Sequence, residues 1–555
     1  MGDIQALVRQ LEGYCDAQAG SDELAELLKP YRLALRSSPD LRVAAAYDEQ
    51  LWPVYGRVWS LEADRFSSEN DADEALVQAI TALAGFTLSL CLQNQENQKQ
   101  AVHHADPSLR RILLGLSSFV NLREPKYTDM IRICCQAFAN LITANPDLAD
   151  VFFAERLRLE ETDKLLQRLL ASPDHGTIQA VLIFILNSIH GSPIRADLLA
   201  TSKGGGAVLD RIMVIVGSVF DAEDNDAMAQ GNFTSDIFGL AFHIVQQLIL
   251  QGSLEQAYTS HALMPGYAIS PTLVTLLKFL DGHLSLAQHA VAPASLSLMP
   301  FLVRELEHLG GSLIRDGPEQ GRGRDAADAG TFQGVVLVLH CLCSIGLALE
   351  KREQEEGEVC ESGRAGREEA DSHLVDGVEA VVRLLAFSQT LLPPPTGRPS
   401  AAPAPTSSAS ESSAPAPTDG PTPDSDLAPS ERTPAAETPI ATESDGVAAI
   451  AQLQRTAVQY LGIVSFIPVQ ASRSTALRAQ EAQDRIRIAG GLELVLGMCQ
   501  IDDRNPTMRE HALFVIRNLL KGNQANQDFV DALKPQYRVG QNGELIDLPP
   551  AQRHS

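Results

Sequence analysis

Apolar residues along most of the chain recur at the spacing of one buried helical stripe. In the segment 130–141 they fall at i, i+3, i+4 and i+7, and the segments 178–189 and 512–520 repeat this pattern. Short polar or Gly/Pro breaks separate such segments from the start of the chain to about Thr390. The pattern predicts a succession of amphipathic helices.

The helices carry a repeated asparagine near their ends, in Asn140-Leu-Ile, Asn187-Ser-Ile and Asn518-Leu-Leu. The first two are 47 residues apart, which is typical of armadillo or HEAT units. The form Asn-Gln-x-Asn-Gln also follows an apolar helix twice, at 94–98 and 523–527. Because such units bury their apolar faces only when stacked, we predict an all-α, armadillo/HEAT-like helical repeat superhelix.

The composition changes between Leu392 and Ile440, where thirteen prolines are embedded in Ser, Thr and Ala. This density cannot support a packed core, so residues 391–446 are predicted to be a disordered Pro/Ser/Thr/Ala-rich linker. We expect three other parts. They are a helical repeat region at 1–390, a C-terminal helical domain at 447–540 and a polar tail at 541–555.

Three threonines of the predicted linker precede proline: Thr422, Thr433 and Thr438. Thr-Pro in an exposed chain is a target for proline-directed kinases, and added phosphate would change how the linker docks on a partner. Chance occurrence in so Pro- and Thr-rich a stretch is the alternative interpretation. These residues are candidate phosphorylation sites.

The net charge of −26 and the sequence pI near 4.9 change the expected partners. Such a surface repels phosphate backbones, so we expect no nucleic-acid partner. The segment Phe332–Leu349 is long and apolar enough to consider as a membrane span. It contains Gln333 and His340, however, and we interpret it as a helix buried on all sides. No secretory signal pattern is present at Met1, and we expect a cytoplasmic protein without a membrane partner.

Catalytic signatures are largely absent from the sequence. It contains no phosphate-binding GxxxxGK[ST], no HExxH, no GxSxG and no kinase set, so we expect no enzyme, no catalytic residue and no cofactor. Gly204–Gly206 is interpreted as a loop. His340-Cys341-Leu-Cys343 resembles a soft-metal site, but on a helix its two thiols would project about 200° apart. We therefore interpret the cysteines as core residues and expect no metal ligand.

The repeated asparagines have two interpretations. Their amides can tie neighbouring helices together, or they can line a groove and bind the backbone of a peptide, as in armadillo arrays. On the second interpretation the candidate partner-binding residues are Asn140, Asn187, Arg517 and Asn518. The partners would be other proteins, and self-association stays open.

The C-terminal block carries a distinctive series of motifs. They are QD-x-x-R at 483–487, Gly490-Gly491, a Cys followed by xIDDxNP at 499–506, Arg509-Glu510, IRNLL-x-GN at 516–523 and Asn526-Gln527. In order and spacing this block resembles the C-terminal domain of the ataxin-10 family, over roughly residues 455–530. Two positions depart from the family pattern: Thr507 stands where an aromatic residue is common, and His511 where Trp is usual.

This resemblance implies a cytosolic armadillo-like protein associated with cytokinesis. We therefore expect a non-catalytic protein–protein interaction scaffold with a role in cell division. Fungal members of the family also carry a copper-homeostasis label, so a copper-homeostasis protein is one alternative and an armadillo-type peptide receptor is another. Local signals within the block predict a helix break at Gly490, a cap at Asn505 and a helix end at Gly522.

Overall fold

The computed structural model describes most of the helical regions. The described residues are 4–68 except 18, 71–157, 164–223, 233–261, 268–315, 325–356, 369–391 except 371, 443–468, 473–533 except 501 and 503, 537–539 and 545–547. The predicted linker and its threonines Thr422, Thr433 and Thr438 lie outside the described residues.

Helices make up nearly all of the described chain. The α-helices are α1 (Ile4–Ala17), α2 (Ser21–Ser37), α3 (Pro39–Ala46), α4 (Leu51–Ser68), α5 (Glu74–Cys91), α6 (Gln95–His104), α7 (Asp106–Leu116), α8 (Thr128–Asn140), α9 (Pro146–Leu157), α10 (Leu165–Leu169), α11 (His175–Ile189), α12 (Pro193–Thr201), α13 (Lys203–Glu223), α14 (Phe233–Leu250), α15 (Leu254–Ser260), α16 (Pro271–Leu284), α17 (Ala287–Ala290), α18 (Pro293–Leu296), α19 (Met299–Arg315), α20 (Asp325–Glu356), α21 (Val378–Leu391), α22 (Glu443–Val464), α23 (Arg473–Ile488), α24 (Gly491–Gly497), α25 (Met508–Leu520) and α26 (Gln524–Ala532). Short 3-10 turns span Asn121–Arg123 and Pro125–Tyr127.

An antiparallel hairpin near the C-terminus is the exception to the all-α prediction. Strand β1 (Tyr537–Val539) pairs with β2 (Leu545–Asp547), with Arg538 opposite Ile546. The second strand lies inside the stretch predicted to be a polar tail. The all-α class is confirmed for the body of the chain.

The first compact unit comprises residues 1–380 and 463–483. Within it, α2, α5, α8, α11 and α14 contact one another in that order, so each helix packs on its counterpart one repeat later. Two further series of helices stack in the same way: α1, α4 and α7, and α9, α12 and α15. This stacking of equivalent helices confirms the predicted helical repeats, and we call the first series the ladder helices.

A capped turn recurs after each of the first ladder helices. Ser38, Asn94, Asn145 and Ser192 each accept a hydrogen bond from the backbone N–H three residues later, roughly 50 residues apart in sequence. Side chains just inside the new helix then donate to the carbonyl seven residues earlier, from Arg42 to Leu35, Asn97 to Leu90 and Arg195 to Ser188. The repeat is therefore fixed at its turns by polar contacts as well as by its apolar core.

The glycine run Gly204–Gly206 does not form the predicted loop. It lies in the first turn of α13. A Cβ on Gly204 would collide with the carbonyl oxygen of Leu157, and one on Gly205 with that of Leu199. Glycine is needed here because another backbone approaches closely, which the sequence pattern alone did not reveal.

The second compact unit comprises residues 381–462 and 484–555. Within it, a Cβ on Gly491 would lie 2.8 Å from the Val382 side chain, so α24 packs closely on α21. Gly490 adopts φ +83° and Gly522 adopts φ +71°, and both end a helix as predicted. The described helices stop at Leu391 and resume at Glu443 on either side of the predicted linker.

Candidate protein-binding surface

Asn140 and Asn187 lie at the ends of consecutive ladder helices. The Nδ2 of Asn140 donates to the carbonyl of Leu88 at 3.3 Å, and the Nδ2 of Asn187 donates to the Oγ1 of Thr143 at 3.0 Å. Each amide therefore ties its helix to the preceding repeat. Neither Oδ1 accepts a hydrogen bond from the described residues, and both side chains are partly exposed. The amide oxygens can still accept from a ligand, so the groove role stays a prediction.

Asn518 makes the same kind of bond in the second compact unit. Its Nδ2 donates to the carbonyl of Gly462 on α22 at 3.0 Å, and the side chain is buried. The neighbouring Arg517 is exposed in the last turn of α25. Arg517 and Asn518 belong to the second compact unit. Of the four candidate partner-binding residues, only Asn140 and Asn187 therefore lie on the ladder helices.

The ladder helices share an exposed stripe, which we call the ladder surface. On α11, Ile183 is 40% exposed one turn before Asn187, and Gln179 one turn earlier donates to Asp236 at 3.3 Å. On α8, the partly exposed residues before Asn140 include Ile133 and Gln136. Amides alternating with aliphatic side chains suit an extended polypeptide, which offers backbone hydrogen bonds and side chains together.

Carboxylates on this surface are confined to the start of each helix. Acidic residues occupy the first turn or two of the ladder helices, at Asp22, Glu23, Glu26, Glu74, Asp129 and Asp236. No Asp or Glu follows before the end of any of these helices. Acids favour helix N-termini because of the backbone dipole. The remaining length of the ladder surface is therefore neutral or basic in an otherwise acidic protein.

The C-terminal motifs QD-x-x-R and GN-x-x-NQ form one hydrogen-bonded cluster. Arg487 donates from Nε to the Oδ1 of Asn526 at 2.8 Å, and its Nη2 lies 3.1 Å from Asp484. Asn523 caps α26 through the N–H of Asn526 and also donates to Asp484 at 3.1 Å. These motif residues hold the end of α23 against the start of α26.

Asp502, Arg504 and Asn505 of the IDDxNP motif lie in the turn before α25. Arg504 donates to both carboxylate oxygens of Asp502, at 2.9 and 2.8 Å. The predicted cap at Asn505 is wrong, because α25 begins at Met508 without a side-chain cap. Asn505 is buried instead, and its Nδ2 donates to the carbonyl of Ala451 on α22 at 3.1 Å.

Residues 470–548, which include these motifs, match the family described as the spinocerebellar ataxia type 10 protein domain. The C-terminal part of the chain therefore resembles the C-terminal domain of the ataxin-10 family. It is 44% identical over 66 residues to the ataxin-10 homolog of Dictyostelium discoideum, covering 12% of this chain and 11% of that protein. Ataxin-10 of Xenopus tropicalis is 37% identical over 57 residues, or 10% and 12% of the two chains. The chain thus spans about a tenth of the length of the curated relatives it matches.

The ataxin-10 resemblance predicted from the motifs is confirmed, and its residues prove to be capping and locking groups. Among solved structures, the SYS-1/POP-1 complex gives a TM-score of 0.36 at 11% identity, covering 95% of both chains. That likeness is too distant to assign a partner. The helical stacking described above, rather than this neighbour, defines the repeat architecture.

The cysteines of the described residues lie mostly in the core. Cys341 and Cys343 are buried, and burial raises the pKa of both thiols above the usual range. Burial also raises the pKa of Cys134 to about 12. Neutral thiols are poor metal ligands. The described part of the chain holds no group of three His, Cys, Asp or Glu side chains placed to bind a metal, and Cys360 lies outside it.

Two described helices are long and apolar enough to cross a bilayer by length and composition alone. They are Glu74–Cys91 and Ala329–Arg352, and a bent pair, Asp236–Leu250 with Leu254–Ser260, also passes that test. The second includes the stretch interpreted above as a buried helix. In each of these two helices, 67% of the most apolar 18-residue stretch is buried inside the fold.

Sequence reasoning missed Gln98 as a structural residue. Its Nε2 donates to the carbonyls of Asn140 and Thr143 at 2.9 and 2.8 Å, and its Oε1 accepts from Asn145. The repeated motif at 94–98 signalled a special turn but did not show which repeat its glutamine reaches. The contact requires the stacking of successive units.

Proposed function

We propose that the chain is a non-catalytic scaffold that binds an extended segment of another protein along the ladder surface. The observation that carries this proposal is a pair of amides on adjacent helices, Asn140 and Asn187, whose nitrogens donate within the fold while their oxygens accept from no described residue, beside the exposed Ile183. An extended backbone can donate to such oxygens while its side chains contact the apolar positions.

The ataxin-10-type domain supports a role in cell division, specifically in cytokinesis, for a cytoplasmic protein. The domain's motif residues are engaged in fixing α23, α25 and α26, which fits a structural rather than a catalytic use. We propose that the helical repeats select the partner.

The test compares two isoleucine substitutions in the full chain. Ile183→Asp introduces a charge on the ladder surface, whereas Ile194→Asp does so on α12, where the isoleucine is 81% exposed. Each tagged variant is expressed in dividing cells that lack the endogenous protein, and bound proteins and the fraction of binucleate cells are measured.

We expect Ile183→Asp to lose division-machinery proteins and to raise the binucleate fraction, while Ile194→Asp behaves as wild type. Equal recovery of partners by both variants would refute the ladder surface as the binding site. The absence of division-machinery proteins from the wild-type sample would refute the cytokinesis role.

A further inference from the structure

Arg32 lies across the next ladder helix at a glycine. A Cβ on Gly85 would be 2.6 Å from the guanidinium carbon of Arg32, so the side chain rests against α5 only because that position has no side chain. Arg132 on α8 repeats the arrangement over Gly176 of α11, where a Cβ would lie 2.5 Å from its Nε. Both arginines are held in place by the packing of successive repeats.

The two arginines differ in their partners. Arg132 donates to both carboxylate oxygens of Asp174, at 3.1 and 2.7 Å, and also reaches Asp129. Arg32 forms no hydrogen bond or ion pair with any described residue. The reason is positional: Asp174 caps α11 beside Gly176, whereas the cap of α5 is Asp73, three turns before Gly85.

Arg32 lines a groove of about 890 Å³ between α2, α5 and the start of α8. The other charged side chains of the groove each have a partner: Glu26 with Lys29, Asp71 with Lys126, Asp129 with Arg132, Asp73 with the Leu76 N–H and Glu74 with Gln78. Among the described residues that line the groove, Arg32 is the one charged side chain that forms neither a hydrogen bond nor an ion pair.

The surroundings of Arg32 are electrostatically unfavourable for a lone cation. Burial, together with the nearby Arg36, lowers the pKa of the guanidinium, which still stays protonated at neutral pH. Arg32 and Arg36 lie beyond the last acidic residue of α2, and the facing part of α5 carries no carboxylate. A partly desolvated guanidinium with free donors gains most from a carboxylate, which it can bind with two parallel hydrogen bonds.

We infer that the groove at Arg32 anchors an Asp or Glu side chain of the extended protein segment that occupies the ladder surface. This inference rests on the proposed function and adds the charge of the partner and the place where that charge binds. The partner's acidic residue would lie at the α2 end of the surface, and its neutral residues would follow along α8 and α11.

The experiment selects peptides from a random 16-residue display library on the purified full chain. One recovered peptide is synthesised, and its affinity is measured for the wild type and for Arg32→Ala, Arg32→Lys, Ile183→Asp and the control Arg9→Ala. Arg9 is exposed on α1 and away from the groove residues. Thermal melting checks that each variant is folded, and Arg32→Lys keeps the charge without the two-pronged geometry.

We expect the recovered peptides to share an acidic position. Arg32→Ala should weaken binding about tenfold or more, because a hydrogen bond to a charged group is lost, and replacing the peptide's acidic residue by Ala should cause the same loss. Arg32→Lys should weaken binding less, and Arg9→Ala should leave it unchanged.

Peptides that respond to Ile183→Asp but not to Arg32→Ala would overturn the carboxylate anchor and leave the proposed function standing. Failure to recover any peptide, or peptides insensitive to Ile183→Asp as well, would count against both. A change of oligomeric state in Arg32→Ala at unchanged peptide affinity would identify a second copy as the occupant and refute the inference.

Discussion

The sequence Asn-Gln-x-Asn-Gln occurs once in each compact unit and begins in the same way in both. Asn94 and Asn523 cap the helix that follows, accepting from the N–H groups of Asn97 and Asn526 at 2.9 and 3.0 Å. The second asparagine is fully buried in each case. Its Nδ2 donates to the carbonyl seven residues earlier at 2.8 Å, in both copies.

The two copies then diverge in what surrounds them. The Oδ1 of Asn526 accepts from Arg487, whereas the Oδ1 of Asn97 has no partner among the described residues. Gln98 reaches carbonyls of the next repeat, but Gln527 turns back to the carbonyl of Leu520 at 2.7 Å. The local motif therefore determines the helix cap and the hydrogen bond to the carbonyl seven residues earlier. The tertiary neighbours determine whether the glutamine of the turn bonds to the next repeat or to its own.

The largest effect that tests this comparison is expected from replacing the buried asparagine of each copy, Asn97 or Asn526, by aspartate. We call these two buried asparagines, with the hydrogen bonds they donate, the amide locks. Asn97→Asp removes the donor to two buried carbonyls, of Leu90 and Arg42, and leaves a charge without a cation. We expect a loss of about 3–5 kcal/mol in the free energy of unfolding. Asn526→Asp should cost about 2 kcal/mol less, because Arg487 already contacts that oxygen.

Hydrogen exchange of α6 and α26, together with thermal melting, measures these losses. Gln95→Glu serves as the control, because Gln95 is exposed in the first turn of α6, where a charge is tolerated, and the change removes only one exposed hydrogen bond, from its Nε2 to the carbonyl of Ala144. Equal losses for the two aspartate variants would mean that Arg487 does not compensate, and the contrast between the units would fail.

Much of the fold follows from local rules that can be read in the sequence. The helical stripes, the glycine ends at 490 and 522 and the repeat length all depend on residues close to one another along the chain. Asn140 and Asn187 could be identified because they recur at the same place in two apolar helices. Gly204 and Asn505 were misread because their roles depend on Leu157 and Ala451, which are distant in sequence.

The candidate site shows the same limit. Asn140 and Asn187 stand out as repeated residues, but the role proposed for Arg32 depends on Gly85 in another helix and on the lack of any carboxylate in hydrogen-bonding contact with Arg32. The sequence alone does not show whether a given arginine forms an ion pair. Only stacking of the repeats reveals which cation lacks a counter-charge.

An intermediate effect should come from shortening the two glutamines. Gln98→Ala removes two donated hydrogen bonds to the next repeat and the acceptor for Asn145, so we expect a loss of about 2 kcal/mol. Gln527→Ala removes one bond to Leu520 and should cost about 1 kcal/mol. Exchange rates in α8 and α9 should rise in Gln98→Ala, since the coupling between repeats is weakened, and unchanged rates there would contradict its role.

The smallest effect concerns the pH dependence that distinguishes the turn before α25 from the amide locks. Hydrogen bonds from Arg504 lower the pKa of Asp502, so this carboxylate stabilises the fold above its unfolded pKa of about 3.9 and loses that contribution as the pH falls through the lower folded pKa. Asp502→Asn should therefore cost about 0.5 kcal/mol at pH 7, and the difference from wild type should shrink below about pH 4. Gln98→Ala is the matched control, because its lost bonds involve no titrating side chain and its cost should be the same at both pH values. A deficit of Asp502→Asn that persisted at pH 3 would show that the residue acts through shape rather than charge, and the turn would then belong with the amide locks.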